Sequence, residues 1–230
     1  AAEIIAADAS EAARKKAKET LGICTTASNI DVSTQADVLF LSVKPQYYET
    51  VIAEIQPTLP SGQIIVTIAP GKTLAWLEER LGDVKIVRTM PNTPALVGEG
   101  ITGVCKNELV TDEEFTYVLK LLSSFGLAEA IPESLMDAVV SVSGSSPAYV
   151  FLFIEAMADA AVADGMPRAQ AYKFAAQAVL GSAKMVLETG KHPAELKDMV
   201  CSPAGTTIEA VRVLEEKGFR GAVMDAMKAC

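Results

Sequence analysis

Apolar and polar positions alternate in two different ways along the chain, and the change divides it into two parts. Up to about residue 132, short apolar runs trade places with amphipathic segments rich in Ala, Lys and Glu. The runs predict strands, because a parallel strand covered on both faces is apolar almost throughout. The predicted strands are 3–7, 22–26, 37–43, 63–68 and 84–88, and the predicted helices are 10–21, 30–35, 47–55 and 74–81.

Strands and helices that alternate at this spacing form a βαβ series, which predicts an α/β fold with a doubly wound parallel sheet. After residue 132 the pattern predicts only helices, over 147–164, 168–189, 193–200, 206–216 and 220–229. Gly165, Gly190 and Gly218 stand where helices should stop. We therefore predict an α/β domain over residues 1–132 and an all-α domain over residues 133–230.

The helix predicted near residues 148–162 is apolar nearly all round, so more than one of its faces needs cover. A second subunit would supply that cover, and a core helix of a monomer is the alternative. Glu155 and Asp159 interrupt the apolar stretch, which is also too short to span a bilayer. No signal peptide is found. These features predict a cytoplasmic homo-oligomer that does not enter membranes.

Composition and charge limit the kinds of ligand and partner that the protein can bind. Half of the 230 residues are hydrophobic and 21% are charged, as in a globular protein. The net charge of -9 argues against nucleic acid, which requires a basic surface. The four cysteines are scattered without a CxxC motif, so neither a metal site nor a disulfide framework is predicted. A small anionic substrate is still compatible, because local cations and helix N-termini can override the net charge.

Three loops interrupt the α/β pattern where predicted strands end, which is where open α/β sheets bind ligands. Residues 42–45 (Ser-Val-Lys-Pro) place the cation Lys44 there, although a surface lysine would fit equally well. Residues 68–71 (Ile-Ala-Pro-Gly) include Gly71, which allows close backbone approach. Residues 88–94 (Arg-Thr-Met-Pro-Asn-Thr-Pro) form a rigid loop that presents an amide and two hydroxyls, suited to a nicotinamide or a ribose.

A fourth segment, residues 201–207, opens a predicted helix. Ser202 can serve as the N-cap and Pro203 as the first helical residue. The exposed N–H groups of such a turn can hold a carboxylate, and Thr206 and Thr207 add hydroxyls beside it. The only histidine, His192, precedes Pro193 and is predicted to cap a helix rather than to act in catalysis. Without an HExxH, GxSxG or P-loop motif, a reaction that needs a strong general base is not indicated.

Together the loops resemble one family. Residues 42–45, 88–94, 144–149, 192–200 and 202–207 occur in the order and spacing of pyrroline-5-carboxylate reductases, and the likeness covers nearly the whole chain. The resemblance implies an N-terminal Rossmann domain and a helical C-terminal domain that intertwines into a dimer, with decamers as a further possibility. It also implies that 1-pyrroline-5-carboxylate is reduced to L-proline by hydride from NADPH or NADH.

The resemblance also implies roles for individual residues. Thr207 would hydrogen-bond the nitrogen of the substrate ring, as the catalytic hydroxyl. The remaining substrate-binding residues would be Val200, Ser202, Gly205 and Thr206. The cofactor-binding residues would be Asn29, Ser42, Val43, Lys44, Ile68, Ala69, Pro70 and Asn92.

The chain departs from the family pattern in three places. It begins at the segment that resembles the second Rossmann strand, without the first strand and the GxGxxG turn, so we expect a truncation and weak cofactor binding. Ser146 and Ala204 stand where the family usually has glycine. Asp8 would favour NAD, whereas Ser10 and Arg14 would accommodate NADP, so the cofactor preference is open.

Two other functions compete with this one. A related two-domain reductase, such as a β-hydroxyacid dehydrogenase, would use a helix lysine as its acid, and Lys184 is the candidate. A solvated position is the alternative for that lysine. The missing glycine-rich turn would also fit a non-catalytic oligomeric protein that has lost its nucleotide site.

Overall fold

The computed structural model describes residues 3–230, which form two compact units divided after Gly144. The strands of the first unit are β1 (Ile5–Ala7), β2 (Cys24–Thr26), β3 (Val38–Leu41), β4 (Ile64–Thr67), β5 (Lys85–Met90), β6 (Gly100–Lys106) and β7 (Gly126–Ala130). Its α-helices are α1 (Glu11–Leu21), α2 (Asn29–Ser33), α3 (Tyr48–Ile55), α4 (Leu74–Leu81), α5 (Asp112–Leu122) and α6 (Met136–Val139). The predicted order of elements up to residue 88 is confirmed.

The strands form two hydrogen-bonded sheets. β1 pairs with β2 in parallel, and the second sheet has the order β3-β4-β5-β6-β7. Its pairs are parallel except β5 with β6, which are antiparallel. The fold class is confirmed, but two strands of the larger sheet, β6 and β7, run opposite to β3, β4 and β5, and the sequence pattern predicts neither of them.

Both faces of β4 and β5, inside the larger sheet, are buried, as the apolar runs predict. Along β4 the side chains alternate, so that Ile65 packs in one core cluster while Ile64 and Val66 pack in another. The first cluster includes residues of α3 and α4, and the second includes residues of α5. This two-sided burial explains why β3 and β4 are apolar almost throughout.

Residues 133–144 belong to the first unit, although the predicted domain boundary lies at residue 132. The Glu133 carboxylate accepts hydrogen bonds from the Leu74 N–H and from the Arg88 guanidinium, each at 2.7 Å. Arg88 lies on β5 with 6% of its side chain exposed, so its charge is compensated inside the unit. The second unit therefore begins at Ser145, later along the chain than the pattern predicts.

The second unit, residues 145–230, contains helices and no strand, which confirms the prediction. Its helices are α7 (Ser146–Ala163), α8 (Arg168–Thr189), α9 (Pro193–Val200), α10 (Thr206–Glu216) and α11 (Phe219–Ala229). Gly165, Gly190 and Gly218 follow helices with φ of 94°, 62° and 72°. Glycine tolerates these left-handed conformations, so the three predicted stops are confirmed.

This unit buries very little of its own apolar surface. Its buried hydrophobic residues are Ala158, Ala171, Ala175 and Leu196. Larger side chains on α7 and α8 are exposed, among them Phe151 at 64%, Leu152 at 67% and Phe174 at 67%. Three alanines and one leucine cannot supply the core that a stable helical domain needs. An apolar surface of this kind marks an interface.

The argument that the apolar stretch is too short to span a bilayer does not hold. The helical run that contains the apolar stretch extends from Glu133 to Ala163, 31 residues with a mean hydropathy of 1.4 in its most apolar window. It is therefore long and apolar enough to cross a membrane, so the argument from length fails. A helix covered by another protein surface would have the same composition, so length and hydropathy alone do not separate the two environments.

Candidate active site

The carboxyl ends of β3, β4 and β5 lie side by side in the larger sheet. The register pairs Leu41 with Thr67, and Thr67 with Arg88. Since these strands run parallel, the loops that follow them leave the sheet at the same edge. The structure thus brings together the three loops that the sequence singled out, as expected for ligand sites in open α/β sheets.

The first loop offers a cation to this edge. Ser42 and Lys44 are exposed and Val43 is half-buried. Among residues 3–230, no carboxylate forms an ion pair with Lys44, so its ammonium is available to an anion. Pro45 begins a single 3-10 turn over Pro45–Tyr47 that leads directly into α3.

The second loop is joined to the first by a buried hydroxyl. Ile68 is half-buried, Ala69 is buried and Pro70 is exposed. The hydroxyl of Tyr48, the first residue of α3, donates to the Leu41 carbonyl at 2.6 Å and accepts from the Ile68 N–H at 3.2 Å. Sequence reasoning missed this contact, because a tyrosine at the start of an amphipathic helix resembles any other core residue.

The first residues of the third loop make more buried contacts with the rest of the first unit than the sequence suggests. Arg88 is ion-paired with Glu133, and the buried Thr89 hydroxyl donates to the Thr67 carbonyl at 2.8 Å. The prediction that the loop presents two hydroxyls is therefore wrong, since Thr93 is exposed but Thr89 is not. The burial of Thr89 within β5 explains the difference.

The Asn92 amide makes two hydrogen bonds inside the first unit. Its nitrogen donates to the Ser143 carbonyl at 3.1 Å, and its oxygen accepts from the Ile101 N–H at 2.9 Å. Asn92 thus fixes the end of the loop against β6. Its predicted place near the nicotinamide remains a prediction.

Just after β1, a group that would favour NAD lies beside groups that would favour NADP. The Asp8 carboxylate accepts from the Ser10 N–H at 2.7 Å, and Ser10 caps α1 as predicted. Arg14 donates to the carbonyls of Asp8 and Ala9 at 2.6 and 3.1 Å. Asn29, at the start of α2, donates to the Glu54 carboxylate at 2.8 Å. These contacts place an acid and a cation within one short segment.

The fourth loop precedes α10 in the second unit, and its predicted cap is wrong. Gly205, not Ser202, is the N-cap, and α10 begins at Thr206. The Gly205 N–H donates to the Ser202 carbonyl at 3.0 Å, so the intervening residues form a turn. Ala204 has a φ of 57°, a left-handed conformation that a helix cannot contain. Pro203 therefore lies outside the helix.

This turn leaves the start of α10 open. Gly205 has no side chain with which to cap the helix, and within residues 3–230 no side chain accepts from the N–H groups of Thr206, Thr207 or Ile208. Thr206 and Ser202 are exposed, Thr207 and Gly205 are half-buried, and Val200 is 64% exposed at the end of α9. Uncapped N–H groups and the helix dipole together favour a negatively charged ligand.

Two residues considered for catalysis have structural positions. His192 caps α9, its Nδ1 accepting from the Ala194 N–H at 3.1 Å, which confirms the predicted cap. Lys184 forms an exposed ion pair with Glu188 at 3.3 Å, on a solvated helix face. Within residues 3–230 the cysteines form no disulfide, and no group of three acidic, histidine or cysteine side chains could hold a metal ion.

A Rossmann-type sheet with ligand loops at its carboxyl edge, followed by a helical unit, defines the class of two-domain oxidoreductases that use nicotinamide dinucleotides. Two family models match the chain. The model described as "Pyrroline-5-carboxylate reductase dimerisation" matches residues 133–230. The model described as "NADP oxidoreductase coenzyme F420-dependent" matches residues 1–71.

Known proteins agree with this class. The chain is 61% identical to the pyrroline-5-carboxylate reductase of Escherichia coli strain K12, over 92% of this chain and 79% of that protein. The structure of a pyrroline-5-carboxylate reductase from Coxiella burnetii covers 98% of this chain and 85% of its own, with a TM-score of 0.91 and 34% identity. The structure of the pyrroline carboxylate reductase of Plasmodium falciparum with NADP bound has a TM-score of 0.83 and 36% identity, and the match covers 90% of this chain and 79% of that one. The chain belongs to the pyrroline-5-carboxylate reductase family.

The left-handed conformation of Ala204 leads to a testable prediction about the loop that precedes α10. Ala204→Gly should stabilise the protein by about 0.5–1 kcal/mol, because glycine adopts a positive φ without the Cβ penalty. Denaturant unfolding at a fixed protein concentration measures the change. The matched control is Ala210→Gly, the same substitution inside α10, which should destabilise by about 1 kcal/mol. Equal losses in both variants would contradict the strained conformation.

Proposed function

We propose that this chain reduces 1-pyrroline-5-carboxylate to L-proline with NADPH or NADH, the last step of proline biosynthesis. The observation that carries the proposal is the open start of α10, where uncapped N–H groups lie beside the hydroxyls of Thr206 and Thr207. Such a start suits a small carboxylated substrate despite the chain's net negative charge. Membership of the family supplies the identity of that substrate.

The residues at the carboxyl edge of the sheet fit a phosphorylated dinucleotide. Lys44 offers an unpaired ammonium and Ser42 an exposed hydroxyl, while residues 68–70 offer backbone at the next strand end. We assign cofactor binding to these loops together with Asn29 and Asn92. NADPH or NADH, when bound, supplies the hydride. The protein's contribution is to hold and orient the nicotinamide.

The second group of residues binds the substrate. The N–H groups at the start of α10, with Thr206, Ser202 and Gly205, would hold the carboxylate of the ring, and Val200 would border it. Thr207 would place its hydroxyl at the ring nitrogen. Fixing both ends of a small ring orients its imine carbon for attack, and orientation of this kind accounts for much of the rate in two-substrate reactions.

The chemistry requires little acid–base strength from the protein. A cyclic imine is electrophilic, particularly when its nitrogen is protonated, so hydride addition to the carbon leaves a nitrogen that is already a stable amine. A neutral hydroxyl that hydrogen-bonds this nitrogen is sufficient. This agrees with a site whose candidate residues include neither a histidine nor a paired carboxylate.

An assay of the purified protein tests the reaction. Pyrroline-5-carboxylate should cause oxidation of NADPH or NADH, followed as loss of the absorbance of the reduced nicotinamide, with proline as the product. Running the two cofactors side by side also determines which one is preferred. Small oxoacids serve as controls and should give no oxidation. Turnover of an oxoacid but not of the cyclic imine would favour a β-hydroxyacid dehydrogenase, and binding without turnover would favour a non-catalytic protein.

The Thr207 hydroxyl is tested by a pair of substitutions. Thr207→Val keeps the shape of the side chain and removes the hydrogen bond, so turnover should fall by roughly 10–100-fold, about 1.4–2.8 kcal/mol. Thr207→Ser keeps the hydroxyl and should remain within about threefold of the wild type. Steady-state kinetics measure both, and circular dichroism checks the fold. Unchanged turnover in Thr207→Val would remove this residue from the mechanism.

We also propose that the apolar faces of α7 and α8 are covered by a second subunit in a cytoplasmic dimer, and that dimers assemble further into a decamer. The match of residues 133–230 to a dimerisation family supports the dimer. The low burial of the second unit shows that these apolar faces need cover. The decamer rests on the family resemblance.

The assembly is tested by extraction without detergent followed by light scattering. The wild type should be found in the soluble fraction, with the mass of a dimer or a multiple of it. Leu152→Asp should lower the mass, because it places a charge on an apolar interface. Leu109→Asp, at an exposed position in the first unit, is the control and should leave the mass unchanged. A need for detergent would support a membrane helix instead.

A further inference from the structure

Tyr48 carries a hydroxyl in the interior of the first unit. The residue is fully buried and packs in the cluster that contains Leu41, Ile65 and Ala69. A phenylalanine ring would fill the same space without the cost of burying a polar group. The hydroxyl is therefore the feature that needs an explanation.

The contacts of the hydroxyl supply one. It donates to the Leu41 carbonyl at 2.6 Å and accepts from the Ile68 N–H at 3.2 Å. Leu41 is the last residue of β3, and Ile68 is the first residue after β4. The paired register of these strands ends at Leu41 and Thr67, so the hydroxyl bridges them where the ladder stops.

The bridge joins two loops that no ladder pair connects. Residues 42–45 begin immediately after Leu41, and residues 68–70 begin at the hydrogen-bonded N–H itself. Tyr48 also follows the first loop along the chain, so its ring anchors that loop from the other end. One buried atom thus fixes the separation between Lys44's loop and Ala69's loop.

The hydroxyl keeps its proton under ordinary conditions. Burial raises the pKa of Tyr48 above its usual value, and the backbone of Ile68 and Ala69 opposes this rise only in part. The group therefore stays able to donate to the Leu41 carbonyl while it accepts from Ile68. Both of its hydrogen-bonding functions are used, as expected of a buried polar group.

We propose that Tyr48 is a positioning residue for the nicotinamide dinucleotide, holding the loops after β3 and β4 at the separation that the cofactor requires. This inference rests on the proposed function. It assigns to Tyr48 no contact with the cofactor or the substrate, since its hydroxyl is occupied by two backbone groups. Its effect is on the two loops.

The test compares Tyr48→Phe with Tyr47→Phe. The adjacent Tyr47 is 55% exposed, and within residues 3–230 its hydroxyl has no hydrogen-bond partner, so the control removes the same atom from the neighbouring position. In Tyr48→Phe the Kd and KM for NADPH should rise by about 5–20-fold, the loss expected when a buried hydrogen bond is removed. The KM for the imine, and kcat at saturating NADPH, should stay within about twofold of the wild type. Tyr47→Phe should leave all four values unchanged.

A second measurement needs no cofactor. Hydrogen exchange in the free protein should be faster at the Ile68 amide in Tyr48→Phe than in the wild type or in Tyr47→Phe. Replacing Tyr48 by 4-aminophenylalanine retains a donor at the same position and should recover most of the NADPH affinity. This replacement also serves as the test if Tyr48→Phe is poorly folded, because failure to recover binding in a folded protein counts against the bridge.

The outcomes separate the inference from the function on which it rests. A wild type that neither binds NADPH nor reduces the imine would overturn both. A functional wild type, with Tyr48→Phe indistinguishable from Tyr47→Phe in NADPH binding, would overturn only the positioning role. If Tyr48→Phe raised the KM for NADPH and the KM for the imine equally and also lowered the melting temperature, Tyr48 would have a purely structural role. That result would also overturn the positioning role.

Discussion

The backbone ladder that joins β3, β4 and β5 in parallel determines where chemistry can occur in this protein. Parallel pairing places Leu41, Thr67 and Arg88 next to one another, so three loops that are distant in sequence leave the sheet together. Buried apolar side chains on both faces fix this register, because a shift of one residue would turn them toward the opposite cluster. The candidate cofactor loops thus depend on the packing of the sheet more than on contacts of their own.

Side-chain hydrogen bonds add to the backbone ladder in fixing the ends of these strands. Tyr48 joins the ends of β3 and β4, and Thr89 joins β5 to β4 through the Thr67 carbonyl. On the same strand Arg88 is compensated by Glu133, which also accepts from the N–H of Leu74 at the start of α4. Tyr48, Arg88 and Thr89 are buried and hydrogen-bonded, so each would be costly to remove singly.

The helical unit is subject to the opposite constraint, a lack of core. A pair of long helices whose buried positions are mostly alanine leaves large apolar side chains exposed, including Phe151 and Phe174. The family model for residues 133–230 is one of dimerisation, so the exposed surface and the family agree on a second subunit. The same composition passes a test for membrane helices, since both environments select apolar residues on every face.

Hydrophobic periodicity and single-residue preferences were sufficient to predict the features that depend on neighbouring residues in the chain. The sequence by itself determined the α/β order through residue 88, the caps Ser10 and His192, and the glycine stop at Gly190, because each depends on periodicity or on one residue's own conformation. The family motifs added the cofactor and the substrate. Tertiary structure alone decided the antiparallel β6, whose Gly100 and Gly103 weaken any strand signal and whose Gly103 gives room to Val139. It also decided the true start of α10 and the hydroxyl bridge of Tyr48, since a left-handed alanine and a contact across 20 residues leave no trace in hydrophobic periodicity.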